Sequence, residues 1–279
     1  MNDTTKNSNQ VKSTKTIVAE LKQDFCKKLD TLAYGSSHHK VFCSWAEIAA
    51  ITMHQLPYQA GCLPKDELFE EMEAHYLRLA KHHDGETLKE FGALMAITLM
   101  ALSHNWTDFL GAIYMELSGK KSKQANGEFF TPYCLAQLTA QMTLLDFEEV
   151  IKRKGYLTIS EPACGAGAML IAAGEVVANK GYLPGKVLFF EAVDINPLFC
   201  HMAYIQFVAL GLPGIVYHGD TIKYEFWNRW ETPECKIRRF LTGSSPLDNR
   251  TSDSQPTTSR PGQLNLFGKP AASDTDKVA

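Results

Sequence analysis

At 279 residues the chain can hold one sizeable domain or two modest ones. A hydrophobic fraction of 45% and a charged fraction of 21% are those of an ordinary soluble globular protein. The formal charge of -3 excludes a chain-wide attraction to nucleic acid, so any DNA contact must come from a local basic patch.

Residues 1–16 are rich in Asn, Thr, Ser and Lys, lack the apolar centre of a signal peptide and are expected to be disordered. No run approaches the roughly 20 apolar residues of a membrane span. The seven cysteines are scattered and odd in number, with no C-x-x-C pair, which argues against a disulfide framework and a zinc site. The histidines show no ligand spacing, so no metal is expected, and the expected location is the reducing cytoplasm.

From residue 17 to 118 the pattern is helical and predicts an all-α domain. Apolar residues recur at three and four spacings from Ile17 to Leu29. A more apolar helix runs from Val41 to Leu56 and is expected to stop at Pro57. Pro64 opens the next helix, with acids in its first turn. Glu86–Leu102 and Thr107–Leu117 complete the set. Residues 119–127, with Lys120, Lys121 and Lys123, read as a solvated basic linker.

An α/β domain is expected over residues 128–241. Its reading is a helix from Pro132 to Thr143, a strand from Tyr156 to Glu161, a helix from Ala168 to Ala178 and a strand from Lys186 to Asp194. A helix from Pro197 to Leu210 and a short strand from Gly214 to His218 follow. Beyond Tyr224 the signals fade, with a last short helix near Lys236–Phe240. Residues 242–279 are expected to be a disordered tail. The fold class is therefore α/β: an N-terminal helical bundle, then a partial Rossmann-like sheet with three assignable strands.

Strand, glycine loop, helix, strand, acid is the half-Rossmann way of holding an adenosine-like ligand, here read as S-adenosylmethionine. Glu161 ends the first strand, where a carboxylate can accept from a ligand amino group. In Cys164-Gly-Ala-Gly167, Gly165 and Gly167 let the backbone approach closely, and Ala166 lies between them. A dinucleotide fingerprint would want Gly or Ala where Leu170 stands, and no Lys-Ser/Thr follows, which excludes the nucleotide-hydrolase loop. Read alone, the loop is equally a tight turn that needs small residues.

Asp194, 27 residues beyond Gly167, can take ribose hydroxyls, or it can cap the helix from Pro197, a role open equally to Asn196. Asp220 can accept the adenine amine or be a simple turn aspartate. In Glu128-Phe-Phe-Thr-Pro132 the order fits Thr131 as helix cap and Pro132 as first helical residue. Phe129 and Phe130 are core residues or stack on the ligand.

The segments Asp108-Phe-Leu-Gly-Ala-Ile-Tyr114, Gly127-Glu-Phe-Phe-Thr-Pro132, Glu161-Pro-Ala-Cys-Gly-Ala-Gly167, Asp194-Ile-Asn-Pro197 and Gly219-Asp220-Thr221 occur in this order. With them the chain resembles the N6-adenine DNA methyltransferases, specifically the modification subunit of type I restriction-modification systems. The resemblance implies that Glu128 to Tyr133 contacts the methionine part of S-adenosylmethionine and that Cys164 to Gly167 wraps it. It further implies that Asp194 holds the ribose, that Asp220 meets the adenine, and that DNA and a second methyltransferase or specificity subunit are partners.

The family's catalytic Asn/Asp-Pro-Pro-Tyr/Phe, which grips the extruded adenine, does not occur in these 279 residues, nor does any Pro-Pro. No catalytic residue is therefore assigned. With only three strands, the first is expected to lie at an open edge that the helical domain, residues 226–240 or another polypeptide must cover. The alternative reading is a non-catalytic protein that binds S-adenosylmethionine or DNA, or docks on the replication sliding clamp. That docking would use Gln263, Leu264, Leu266 and Phe267 of Gln263-Leu-Asn-Leu-Phe267, which resembles a clamp-binding peptide.

Overall fold

A computed structural model describes residues 13–117 and 130–248. The expectations for residues 1–12, the linker 119–127, Glu128, Phe129 and the tail from residue 249, with Gln263-Leu-Asn-Leu-Phe267, lie outside the described residues.

The N-terminal helices are α1 (Thr14–Leu32), α2 (His38–Gln59), α3 (Glu67–Ala80), α4 (Gly85–His104) and α5 (Phe109–Leu117). Ser13, Ser37, Asp66 and Asp84 cap the first four, each side chain accepting the backbone N–H three residues on. Several boundaries differ from the sequence expectation; α1 begins at Thr14, inside the segment expected to be disordered, because Ser13 caps it by accepting the Thr16 N–H. Helix α3 starts at Glu67, not Pro64, because the Asp66 carboxylate takes the Phe69 N–H at 2.9 Å and sets the first turn there. Pro57 does not stop α2 but sits inside its last turn, and its carbonyl accepts from Cys62 and Leu63 to close the helix end.

The second half contains α6 (Tyr133–Thr143), α7 (Phe147–Lys154), β1 (Leu157–Glu161), α8 (Ala168–Asn179), α9 (Pro184–Val187) and β2 (Leu188–Asp194). It continues with α10 (Pro197–Ala209), β3 (Gly214–Asp220), β4 (Glu225–Glu231) and α11 (Pro233–Thr242). The sheet order is β1-β2-β3-β4. The first three strands are parallel, with Glu161 opposite Ala192 and Asp194 opposite His218, so their C-terminal ends lie side by side. This is an α/β Rossmann-like fold.

Strand β4, antiparallel to β3, was not among the three strands expected. The reason is a β-bulge: Gly219 pairs with Phe226 and His218 with Asn228, leaving Trp227 as the extra residue. Phe226 and Trp230, which an unbroken strand would place on one face, therefore enter the apolar clusters on opposite faces of the sheet. The alternation that marks a strand is lost.

Strand β2 is buried along almost its whole length, as a parallel strand covered on both faces should be. β1 is not: it has no second neighbour among the described residues, Ser160 is exposed, and its other residues are only half buried. Residues 226–240 do not cover that edge. They pair with β3 and lay α11 on the sheet face around Phe189, where Cys235 is buried.

Helix α10 is mostly apolar, with His201 and Gln206 among its buried residues, and lies between the sheet face of Phe190, Ala192 and Val216 and helix α2. One core runs from Phe25, Phe42 and Trp45 in the N-terminal helices to Phe207 on α10 and Trp230 on β4. Inside it lies a polar lock. The Gln206 amide nitrogen donates to the Asp108 carboxylate at 2.9 Å and to the Ala166 carbonyl at 2.8 Å, and its oxygen accepts the Leu110 N–H at 3.0 Å. Asp108 in turn accepts the Gly111 N–H at 2.9 Å. α5, α10 and the glycine loop are thus joined through one fully buried side chain. Among the described residues no helix is long and apolar enough to cross a membrane.

Gln206→Leu keeps the volume but leaves the Ala166 carbonyl, the Leu110 N–H and Asp108 short of partners in the core. Urea unfolding should show a loss of about 2–4 kcal/mol, and a loss within experimental error would mean that the lock contributes nothing net.

Candidate functional site

At the C-terminal end of the parallel strands, the loop after β1 turns on two left-handed glycines, Gly165 at φ +54° and Gly167 at φ +96°. Cys164 N–H donates to the Val193 carbonyl and Gly167 N–H to the Cys164 carbonyl, both at 2.8 Å, so the loop folds onto the end of β2 before α8 begins. Neither glycine can be replaced freely. A Cβ on Gly167 would lie 2.6 Å from Phe207 Cζ, and one on Gly165 would lie 3.2 Å from Phe130 Cε1. Ala166 and Cys164 are buried, and burial pushes the Cys164 thiol well above its ordinary value, which keeps it protonated and unreactive.

Asp194 ends β2 and turns back to the loop. Its Oδ2 accepts the Gly165 N–H at 2.8 Å and its Oδ1 accepts the Asn196 N–H at 2.9 Å. The cap of α10 is supplied by Asn196, whose Oδ1 accepts the Leu198 N–H at 3.0 Å. Of the two roles open to Asp194 in the sequence, the helix cap is therefore filled by another residue. Each carboxylate oxygen can accept more than one hydrogen bond.

Glu161, at the end of β1, is half buried and accepts the Ala163 N–H at 3.2 Å. Asp220, at the end of β3, closes the β3–β4 turn. Its Oδ1 accepts from Ile222 and Lys223 N–H at 3.0 and 3.1 Å, and its Oδ2 lies 3.4 Å from the Lys223 ammonium. The Lys223 backbone bond is the main reason its carboxyl stands below the usual range. The next residue, Thr221, donates its hydroxyl to the Pro162 carbonyl at 2.7 Å and draws the ends of β3 and β1 together across β2.

Of the described aromatic-turn residues, Phe130 is the one that meets the glycine loop. Its ring packs at 5.5 Å from Tyr114 on α5 and 4.9 Å from Phe199 on α10, while Tyr114 and Phe199 lie 5.2 Å apart. Thr131 and Pro132 are exposed, and the expected Thr131 cap does not form: Pro132 occupies the cap position without a side-chain bond, because proline's fixed φ already begins the turn. The Tyr133 hydroxyl donates to Glu175 on α8 at 2.9 Å, beside the Gln137 amide at 2.8 Å. Tyr133 therefore helps fasten α6 to α8, and burial raises its pKa.

Three exposed residues at the strand ends were not singled out from the sequence. Ile195 follows Asp194 and is 61% exposed; Ile222, two after Asp220, is 98% exposed. Tyr224 takes φ +56°, an uncommon conformation for a bulky residue. An isoleucine one or two residues after a strand-ending acid is the signal that could have found the first two. Among the described residues no group of His, Cys, Asp and Glu could hold a metal ion.

A parallel strand carrying a left-handed glycine loop, with an acid from the next strand bonded to that loop, is the Rossmann-like arrangement in which open α/β sheets bind ligands at the carboxyl ends of their strands. Residues 105–235 match the family described as N-6 DNA Methylase. No curated protein matches the sequence. Among solved structures, a class I S-adenosylmethionine-dependent methyltransferase from Listeria monocytogenes is similar at 17% identity, TM-score 0.36, over 74% of this chain and 54% of its own. The methyltransferase subunit of a type I restriction-modification system from Streptococcus thermophilus is similar at 14% identity, TM-score 0.37, over 76% of this chain and 59% of its own. The chain spans little more than half the length of each.

Two measurements check this geometry. Gly167→Ala, which sets a Cβ into Phe207 at a left-handed φ, should cost about 2–4 kcal/mol, and Gly165→Ala less, since the Phe130 ring can give way; equal losses in urea unfolding would contradict the geometry. Burial, outweighing the bonds from Gln206 and Gly111, raises the Asp108 carboxyl above its ordinary 3.8. The fold thus holds that proton more tightly than the unfolded chain, so the Asp108 contribution is complete below pH 3.8 and is lost as pH rises through the raised value. The stability of Asp108→Asn relative to the wild type should therefore increase as pH climbs out of the acid range, and a pH-independent difference would contradict the shift.

Proposed function

We propose that this chain binds S-adenosylmethionine at the ends of β1, β2 and β3, as the cofactor-holding half of an adenine-N6 DNA methyltransferase of the type I restriction-modification kind. The observation that carries the reading is the Asp194 carboxylate bonded at 2.8 Å to the N–H of Gly165, which places a ribose acceptor against a backbone with no Cβ. The family match over residues 105–235 supports adenine-N6 chemistry on DNA.

The residues present fit the cofactor. The Phe130 ring stands directly against the bare backbone of Gly165, and an aromatic ring at that place can attract the sulfonium of the methionine part. Asp194 offers acceptors for ribose hydroxyls, and the exposed Ile195 and Ile222 offer apolar contact to a planar base. Asp220, held in its turn by backbone N–H groups, keeps an acceptor at the same end of the sheet. When bound, the cofactor supplies an electrophilic methyl group. This chain's residues orient it and limit water around it. The group that would grip the target adenine is the Asn-Pro-Pro-Tyr segment, which does not occur in these 279 residues. In this reading a polypeptide segment outside them, set against the open edge of β1, supplies it.

Photo-crosslinking with radiolabelled S-adenosylmethionine should label the wild-type chain, and Asp194→Ala should reduce labelling by about tenfold or more, as expected for loss of a charge-assisted bond. Incubation of the same chain with adenine-containing duplex DNA should transfer no label. Equal labelling of both proteins would remove the cofactor reading, whereas methylation by the chain alone would remove the requirement for a second segment.

A further inference from the structure

Among the N-terminal helices, a cavity of about 580 Å³ opens between the C-terminal end of α1, the start of α2, the α3–α4 turn and the start of α4. Its volume falls in the range of small-ligand pockets, which is roughly 300–1,000 Å³. The polar groups that line it are Ser36, Lys40, Ser44, His82 and His83, together with Thr87, whose hydroxyl is turned to Asp84. Leu32, Val41 and Phe91 line the rest.

The charge balance of this lining is one-sided. No carboxylate lines the cavity, and Lys40 has no ion-pair partner among the described residues. The acids nearby face other groups. Asp30 takes His38 at 2.9 Å, Glu90 takes Lys28, Glu86 takes Lys89 at 3.6 Å, and Asp84 caps α4 by accepting the Thr87 N–H at 2.7 Å.

Ser44 Oγ and His83 Nε2 are 2.7 Å apart. If the hydroxyl donates to Nε2, the ring carries its proton on Nδ1; if Nε2 donates, the hydroxyl proton is free. Either way the pair keeps one donor to offer. Desolvation lowers the His83 pKa, so the ring is neutral near pH 7.

We infer that this cavity is a binding site for a small phosphate monoester with an apolar or aromatic body, such as a nucleoside monophosphate. Lys40, Ser36, His82 and the Ser44–His83 pair line the cavity from separate elements, so their donors can meet the three terminal oxygens of a phosphate from different sides, whereas a planar carboxylate presents its two oxygens in one direction. Leu32, Val41 and the edge of Phe91 receive the body of the ligand. Nothing in the inference depends on the site at the strand ends, because none of its residues belongs to the elements that form that site.

The test is calorimetric titration of the full chain with thymidine 5′-monophosphate, in the presence of excess S-adenosylhomocysteine to occupy the strand-end site. Saturable one-to-one binding is expected, with inorganic phosphate competing weakly and thymidine not at all. Lys40→Met should weaken binding by about tenfold or more and Ser44→Ala by several-fold, with circular dichroism unchanged, whereas Lys89→Met should have no effect. Three results would each overturn the inference: no saturable binding at millimolar nucleotide, competition by thymidine equal to that by the nucleotide, or undiminished binding by a folded Lys40→Met protein. If Lys40→Met fails to fold, the phosphate and thymidine competitions on the wild type decide alone.

Discussion

The arrangement depends on one buried amide. Gln206 sits on α10, the helix enclosed between the sheet and α2, and donates both to Asp108 before α5 and to the carbonyl of Ala166 between the two loop glycines. Its burial makes the interaction one of all or nothing: with every group paired, the core tolerates an acid and an amide without a cation, and with one removed the others are stranded in a medium of low polarity. Since the loop has left-handed φ at Gly165 and Gly167, with little intrinsic preference to hold it there, the bond to Ala166 fixes the path that puts the Gly165 N–H in front of Asp194. The ring group of Tyr114, Phe130 and Phe199 then closes against the same loop from the side. The N-terminal helices are thereby part of the site's support.

That support is one-sided. β2 and β3 are paired on both edges and buried, while β1 has no second neighbour among the described residues and is only half buried. The chain residues beyond β3 reinforce the opposite side of the sheet: β4 takes the edge of β3, and Arg239 on α11 binds Glu231 and Asp248 to hold the final segment on the sheet face. A parallel strand is ordinarily enclosed. Its exposure here accompanies the absence of an Asn-Pro-Pro-Tyr from these 279 residues.

Much of this was legible in the residues. The glycine loop needs small residues and a helix start, Asp194 needs a strand end, and both requirements are local, so both lie in adjacent letters. The helical first half is readable because its apolar spacing persists over many turns. What escaped was set by contacts distant in sequence or by local competition. The Gln206–Asp108 bond joins residues 98 apart. β4 lost its alternation to one bulged tryptophan. Pro57 and Pro64 were read by their own preferences, yet a last-turn position and the Asp66 cap decided the boundaries. Thr131 had the right type for a cap and the wrong geometry, and Asp220 serves the turn that its own position creates.

The most direct test of the account is the heat of binding of S-adenosylhomocysteine, the demethylated product, to the purified full chain, which requires no DNA, partner or turnover. The account predicts one saturable site per chain for the wild type and its loss in Asp194→Ala at unchanged fold. A wild-type chain that is folded and yields no saturable binding at millimolar ligand would contradict it.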